Sequence, residues 1–357
     1  MRSIPLGLTF DDVLLIPQES NVRQENIVFV SRFTKHLTLS LPVSSAIMDT
    51  VTETEMAIAM AKEGGIGIIH RNCTIDQQVA MVKKAKKVVG NLPVGAGIGP
   101  NDLERAQALD EAGADVISFD CAHAHKQFIV ENVRKLKKTL NADLIVGNIA
   151  TTAAAKALLP YADALKVGIG PGSICTTRIM SGVGVPQLTA IMEVAKIASI
   201  KKIPVIADGG IRYSGDIVKA LAAGAESVML GSMLAGTKET PGKIVQVGKN
   251  RYKQYRGMGS EGAMKTGSAD RYAQSKEAKK YVPEGVEALT PYKGPVANVL
   301  FQIQGGLRAG MGYVGAATIQ ELQDRAEFIR ITQAGRAESH PHSIVISKEA
   351  PNYKSSL

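Results

Sequence analysis

The chain has 357 residues, 45% of them hydrophobic, which is ample for a large buried core, and it carries a net charge of +9. Mean hydropathy is +0.03, and no stretch approaches the ~20 apolar residues of a membrane helix, so no membrane partner is expected. Met1-Arg2-Ser3-Ile4-Pro5 lacks the apolar run of a signal peptide, which predicts a soluble, cytoplasmic protein.

From residue 42 onward, short apolar runs alternate with helical patterns. The first run is Pro42–Met48, followed by an amphipathic helix over Glu55–Glu63 that stops at Gly64. Ile66–His70 is the second strand. Lys83-Lys84-Ala85-Lys86-Lys87 then lies in a helical pattern, and Val88-Val89-Gly90-Asn91-Leu92-Pro93 leads straight into a third strand, Val94–Gly99. Its Gly95-Ala96-Gly97-Ile98-Gly99 looks like a fragment of a dinucleotide fingerprint, but the glycines sit inside the strand rather than opening a helix. Helix Asn101–Ala112 ends at Gly113, and strand Val116–Asp120 follows. Lys135-Leu136-Lys137-Lys138 marks another helix face before strands Leu144–Ile149, Leu165–Gly170 and Pro204–Asp208. Helix Ser214–Ala223, stopped by Gly224, precedes the eighth strand, Ser227–Gly231.

Continuous apolar runs are typical of parallel strands buried on both faces. Eight of them, each followed by a helix, predict an α/β fold of the (β/α)8 TIM-barrel type rather than an open doubly wound sheet. Residues 236–295 break the pattern: they are polar, without a sustained period, and read as an irregular functional segment. Helical patterns resume at Val296–Ala309 and Ile319–Ala326, and the tail from Gly335 to Leu357 reads as extended. The whole chain, 1–357, is read as a single domain, with the barrel over 42–235 and 296–330.

In such barrels the chemistry sits at the C-terminal ends of the strands, and phosphate is held by the loops after strands seven and eight. Asp208-Gly209-Gly210 and Gly231-Ser232 fall at those two places. Glycines there let backbone N–H groups approach phosphate oxygens, the Ser adds a hydroxyl, and Asp208 suits a ribose diol. After strand six, Gly170-Pro171-Gly172-Ser173-Ile174-Cys175-Thr176-Thr177-Arg178 is a Gly-rich loop with a thiol at its tip. Arg178 and the loop amides are placed to favour the thiolate, and so a nucleophile. The chain has only three cysteines, Cys73, Cys121 and Cys175, an odd count that points to a reactive thiol rather than a disulfide scaffold. His123 and His125 invite a zinc reading, but no third ligand has suitable spacing. The lysine clusters lack interleaved aromatics, which argues against nucleic acid as the main ligand.

Several of these stretches together resemble one family. Gly168-Ile169-Gly170-Pro171-Gly172-Ser173-Ile174-Cys175-Thr176-Thr177-Arg178 is similar to the active-site loop shared by inosine-monophosphate dehydrogenases and GMP reductases. Met48-Asp49-Thr50-Val51-Thr52-Glu53 and Ala207-Asp208-Gly209-Gly210-Ile211-Arg212 are similar in the same way. Tyr255-Arg256-Gly257-Met258-Gly259-Ser260 and Glu338-Ser339-His340-Pro341-His342 resemble the dehydrogenase side, and the likeness runs from Leu8 to His342.

The resemblance implies oxidation of IMP to XMP with NAD. Cys175 would add to C2 of the base, with Thr177 beside the reacting carbon. Ser173, Gly209, Gly210, Gly231, Ser232 and Tyr255 would hold the phosphate, Asp208 the ribose, and Met48, Gly257, Met258, Gly259 and Glu284 the base. Arg271 and Tyr272 match a mobile flap that takes the place of departed NADH, with the Arg as base toward water. Asp120, Cys121, Ala122, Gly168 and Gly170 match the cofactor side, and Tyr313 an aromatic that packs on adenine across a subunit boundary. A potassium ion is implied on the carbonyls of Gly170, Gly172 and Cys175, completed by Glu338, Ser339 and His340 of a neighbouring subunit, and hence a homotetramer. Cys121, Ala124 and Lys126 depart from the family's Ser, Gly and Ser, which puts NAD affinity in question. Most members insert a pair of CBS modules after the second barrel helix; here Lys87–Pro93 leaves no room for them, so regulation by nucleotides through such modules is not expected.

Two other readings stay open at this point. GMP reductase shares the Cys loop, although Gly184-Val185-Pro186-Gln187 and Arg271-Tyr272 favour the dehydrogenase. A silent nucleotide- or RNA-binding barrel has only the basic charge in its support.

Overall fold

A computed structural model describes residues 4–275 and 277–353. The N-terminal segment forms three short strands, β1 (Val13–Leu15), β2 (Ser31–Arg32) and β3 (Thr38–Leu39). The barrel then begins with β4 (Val43–Ser45), α1 (Thr54–Lys62), β5 (Ile66–Ile69) and α2 (Ile75–Val89). It continues with β6 (Val94–Ile98), α3 (Leu103–Glu111), β7 (Val116–Asp120), α4 (Gln127–Leu136) and β8 (Asp143–Ile149). Next come α5 (Thr152–Leu158), β9 (Ala164–Val167), α6 (Thr177–Ser181), α7 (Gln187–Ala198), β10 (Val205–Asp208), α8 (Ser214–Ala222) and β11 (Ser227–Leu230).

Strands β4 to β11 close into one parallel barrel, with β11 pairing back on β4 through Val43 and Val228. This is the expected (β/α)8 barrel, and all eight strands lie within or beside the predicted runs. The connection from α2 to β6 is a tight turn at Gly90, which has φ +61°, and no domain intervenes. Ile98 and Phe119, at alternate positions of their strands, are buried on the outer side of the wall, and Ile47 and Ile68 fill the interior. Gly95 and Gly97 belong to this packing: a Cβ on either would lie 2.4 Å from Ile68 Cδ1 or Ile47 Cγ2. They make space for large neighbours and form no dinucleotide turn.

Residues 236–295 depart from the irregular segment expected. They hold a three-stranded antiparallel sheet of β12 (Val245–Val247), β13 (Asn250–Arg256) and β14 (Glu287–Pro291), with a helical turn, α9 (Glu261–Ala263), between the last two. The alternation was hidden because one inward position of β13 is a lysine. Lys253 is buried and its ammonium donates to the carbonyls of Thr237, Lys238 and Thr240.

The chain ends with α10 (Val296–Val314), α11 (Ile319–Arg325), β15 (Phe328–Arg330) and α12 (Gln333–Glu338). Helix α10 runs five residues past the predicted end. The tail is also not wholly extended, since α12 starts from a Thr332 side chain that accepts the Gly335 N–H. Residues 354–357 of that tail lie outside the described residues. β15 pairs antiparallel with β1, so the two ends of the chain are tied together.

Candidate active site at the C-terminal ends of the barrel strands

The Cys175 loop follows β9. Gly168 has φ +149°, and a Cβ there would fall 2.0 Å from the Asp208 carbonyl, so only glycine lets the loop leave the barrel against β10. The turn closes with the Cys175 N–H on the Gly172 carbonyl at 3.1 Å. The thiol donates to Thr177 Oγ1 at 3.2 Å, and Cys175 is half-buried, open to the cleft. Arg178 turns to the backbone: Nε donates to the Ile169 carbonyl at 3.1 Å and Nη2 to that of Val185 at 2.6 Å, buttressing the loop. The return of the flap holds the other side. Cys175 bridges to Gly285, Thr176 N–H donates to the Glu284 carbonyl, and Val286 N–H to that of Ile174.

The expected phosphate end lies beside it. Gly209 and Gly210, with φ of +92° and +79°, turn sharply after β10 against Pro171. Gly231 and Ser232 follow β11, and a Cβ on Gly231 would press within 2.9 Å of the Tyr255 hydroxyl. Tyr255 is buried and hydrogen-bonded to Ser173; burial pushes its phenol up to about 12, so it stays a neutral donor. Met48, Asp208, Gly257, Met258, Gly259 and Glu284 line the same cleft, as do Gly168, Gly170, Gly172, Ser173 and Cys175.

Opposite the thiol, the flap reaches into the cleft. Arg271 pairs through its guanidinium with Asp120 Oδ2, and its carbonyl accepts the Ala122 N–H at 3.0 Å. Burial lowers the Arg271 pKa and raises that of Tyr272, whose ring lies within 2.8 Å of where a Gly259 Cβ would be. Arg271 Nε is buried with no hydrogen-bond partner among the described residues. Two ion pairs fasten the segment. Arg71 grips Asp270 at 2.7 and 3.3 Å, and Arg256 grips Asp49 at 2.6 and 3.1 Å. Asn72 adds bonds to Asp49 and Thr266. Cys121 is not among the residues lining this cleft; it is buried, 3.4 Å from the Gly147 carbonyl, and burial pushes its thiol up to about 11.

Four residues singled out in the sequence lie elsewhere in this chain. Tyr313 is exposed on α10. Glu338, Ser339 and His340 end α12, and His340 Nδ1 lies 3.0 Å from the Tyr353 hydroxyl, next to Tyr213. Two others in the cleft were missed. Lys166, in the middle of β9, and Asn148, in β8, join Asp120 to Asp208. The available signal was a lysine inside an otherwise apolar strand.

Comparison with known proteins supplies the last observation. Residues 7–342 match the family model of the IMP dehydrogenase / GMP reductase domain. A protein from Cryptosporidium parvum named inosine-5'-monophosphate dehydrogenase is 47% identical over 395 residues, covering 99% of each chain. Proteins of the same name from Methanocaldococcus jannaschii (43% identical, 97% of each chain) and Halobacterium salinarum (40% identical, 98% of this chain and 96% of the other) are also similar. Their alignments run over 480 and 478 positions, longer than this chain, so both carry residues with no counterpart here.

Proposed function

The chain belongs to the IMP dehydrogenase / GMP reductase family, and on that premise we propose that it oxidises IMP to XMP with NAD. The observation that carries the reading is the convergence of Cys175, Asp208 and Arg271 on one cleft. In this reading the Cys175 thiolate adds to C2 of the hypoxanthine ring, with Thr177 within hydrogen-bond reach of the sulfur. NAD, when bound on the Asp120 side of the cleft, would supply the acceptor for the hydride on C2. The base is left joined to Cys175 as a thioimidate. Water attacks C2, loses its proton and expels the thiolate, so that IMP, NAD+ and water give XMP, NADH and a proton.

The residues fit the two ends of IMP. Gly209, Gly210, Gly231, Ser232, Ser173 and Tyr255 offer backbone and hydroxyl donors for the phosphate, and Asp208 accepts from the ribose. On the cofactor side, the Asp120 carboxylate is a cleft-facing acceptor that the Arg271 guanidinium now engages. Arg271 is the group proposed to activate water: it reaches the cleft from the flap, and its Nε is free of protein partners among the described residues. The carbonyls of Gly170, Gly172 and Cys175 suit a hard monovalent cation, and Glu338, Ser339 and His340 would complete it from a neighbouring copy. A homotetramer, with Tyr313 at the adenine end of a neighbour's cofactor, is part of the same proposal, as is a single catalytic domain over 1–357.

The test is to mix the protein with IMP, NAD and potassium and follow NADH by its near-ultraviolet absorbance, with a parallel sample of GMP and NADPH. NADH in the first sample alone supports the dehydrogenase. Loss of NADPH in the second alone makes the chain a GMP reductase. Replacing potassium by sodium tests the cation.

A further inference from the structure

Lys166 is fully buried at the mouth of the barrel, a position lysine occupies only when paired. Its ammonium donates to Asp120 Oδ1 at 2.7 Å, to Asp208 Oδ2 at 3.2 Å and to Asn148 Oδ1. All three of its protons are thereby used. Because the Asn148 oxygen is taken by Lys166, its Nδ2 must point the other way, and it donates to Asp208 Oδ2 at 2.8 Å and to the Gly168 carbonyl at 2.7 Å. One cation therefore sets the carboxylate of β7, the amide of β8, the carboxylate of β10 and, through the amide, the first residue of the Cys175 loop.

The two carboxylates face different ligands in the reading proposed above, on which this inference rests. Asp208 faces the nucleotide and Asp120 the cofactor or the flap. We propose that Lys166 is a positioning residue that couples the two halves of the cleft, holding both carboxylates in register without touching the reacting atoms. A buried ammonium is costly in an apolar strand. A residue needed only for packing at this point would be apolar, as Ile206 is at the paired position of β10.

Lys166→Met keeps the length and removes the charge. In steady-state assays with IMP and NAD, KM for both substrates is expected to rise about tenfold or more together, since each carboxylate loses its shared partner. The Lys166→Met effect on KM for IMP should shrink to about twofold in an Asp208→Asn background, because the two changes act through one contact. Lys166→Arg should recover part of the loss. A filler role would give none of this pattern. The inference is overturned if Lys166→Met leaves both KM values unchanged, moves only one, or costs as much in the Asp208→Asn background as in the wild type. Should Met not be tolerated, Asn148→Ala removes the amide's bonds to Asp208 and Gly168 and leaves the Lys166–Asp120 pair in place: KM for IMP should rise about tenfold with KM for NAD nearly unmoved, and equal rises overturn the proposal. A wild-type protein that turns over no IMP defeats the functional reading itself. An active wild type indifferent to Lys166 defeats only this inference.

Discussion

The barrel and the flap are held by different forces. Ile66, Ile68, Ile69, Val116, Leu144 and Val228 are wholly buried in the barrel strands, where apolar contact does the stabilising. The segment from Arg256 to Tyr272 has a few buried apolar groups, such as Ala263 and Met264, and is tied to the barrel by Arg71–Asp270, Arg256–Asp49 and Arg271–Asp120 and by the Asn72 bonds to Ala263 and Thr266. Apolar packing has no cheap alternative partner. Ion pairs do, because water and ligands can replace them. A rigid frame that carries Cys175, the proposed nucleophile, and a segment held by replaceable ion pairs that carries Arg271 suit the proposed reaction, in which the cleft would be cleared for a cofactor and then filled again.

The sharpest test of that division is chemical. Cys175→Ala should lower turnover by about a thousandfold or more while IMP still binds, because the frame loses its nucleophile and nothing else. Arg271→Ala should act on the second half alone. NADH should form in a burst equal to the enzyme present, followed by steady turnover about a hundredfold slower, the usual scale for losing a proton-transfer group. If both variants fail without a burst, the frame and the flap do not divide the chemistry as proposed.

A stability measurement separates the regions in the opposite sense. Ile68→Ala empties space at the barrel centre and should cost about 2–5 kcal/mol in chemical denaturation. Turnover per folded molecule should stay near that of the wild type, because Ile68 is not among the residues lining the cleft.

The same contrast decides what could be read from the sequence. Apolar runs report the barrel directly, since a buried parallel strand needs side chains that are apolar on both faces. Cys175, Asp208 and the paired glycines stood out because each is a residue type with one expected use at a strand end. Lys253 and Lys166 did not, because each is a charge pointing inward, and an inward charge looks like a break in a pattern until its partners are known. Those partners are far along the chain: Lys166 meets Asp120 and Asp208, and Arg71 meets Asp270. Local period carries no trace of such pairings. The resemblance to a known family named Arg271 and Tyr272 as functional, but only the fold showed what holds them in place.

The smallest expected effect comes from loosening that hold. Asp270 lies next to Arg271 in sequence but bonds in the opposite direction, to Arg71 after β5. Asp270→Asn keeps the shape and removes the charge. Arg71 keeps a second carboxylate, Asp102, at 3.8 Å, so it is not left unpaired and the barrel should melt at nearly the wild-type temperature. The docked position of the flap, however, loses one of its ion pairs, while the open position proposed for the reaction would lose nothing. An equilibrium shift of about 1.4 kcal/mol would lower the docked population relative to the open one by about tenfold. The expected result is faster hydrogen exchange and proteolysis confined to the segment from Met258 to Tyr272, with the NADH burst intact and hydrolysis slowed by up to that factor. Exchange that quickens equally in β5 and β7 would mean that the pair belongs to the frame, and that the flap is no more replaceable than the barrel beneath it.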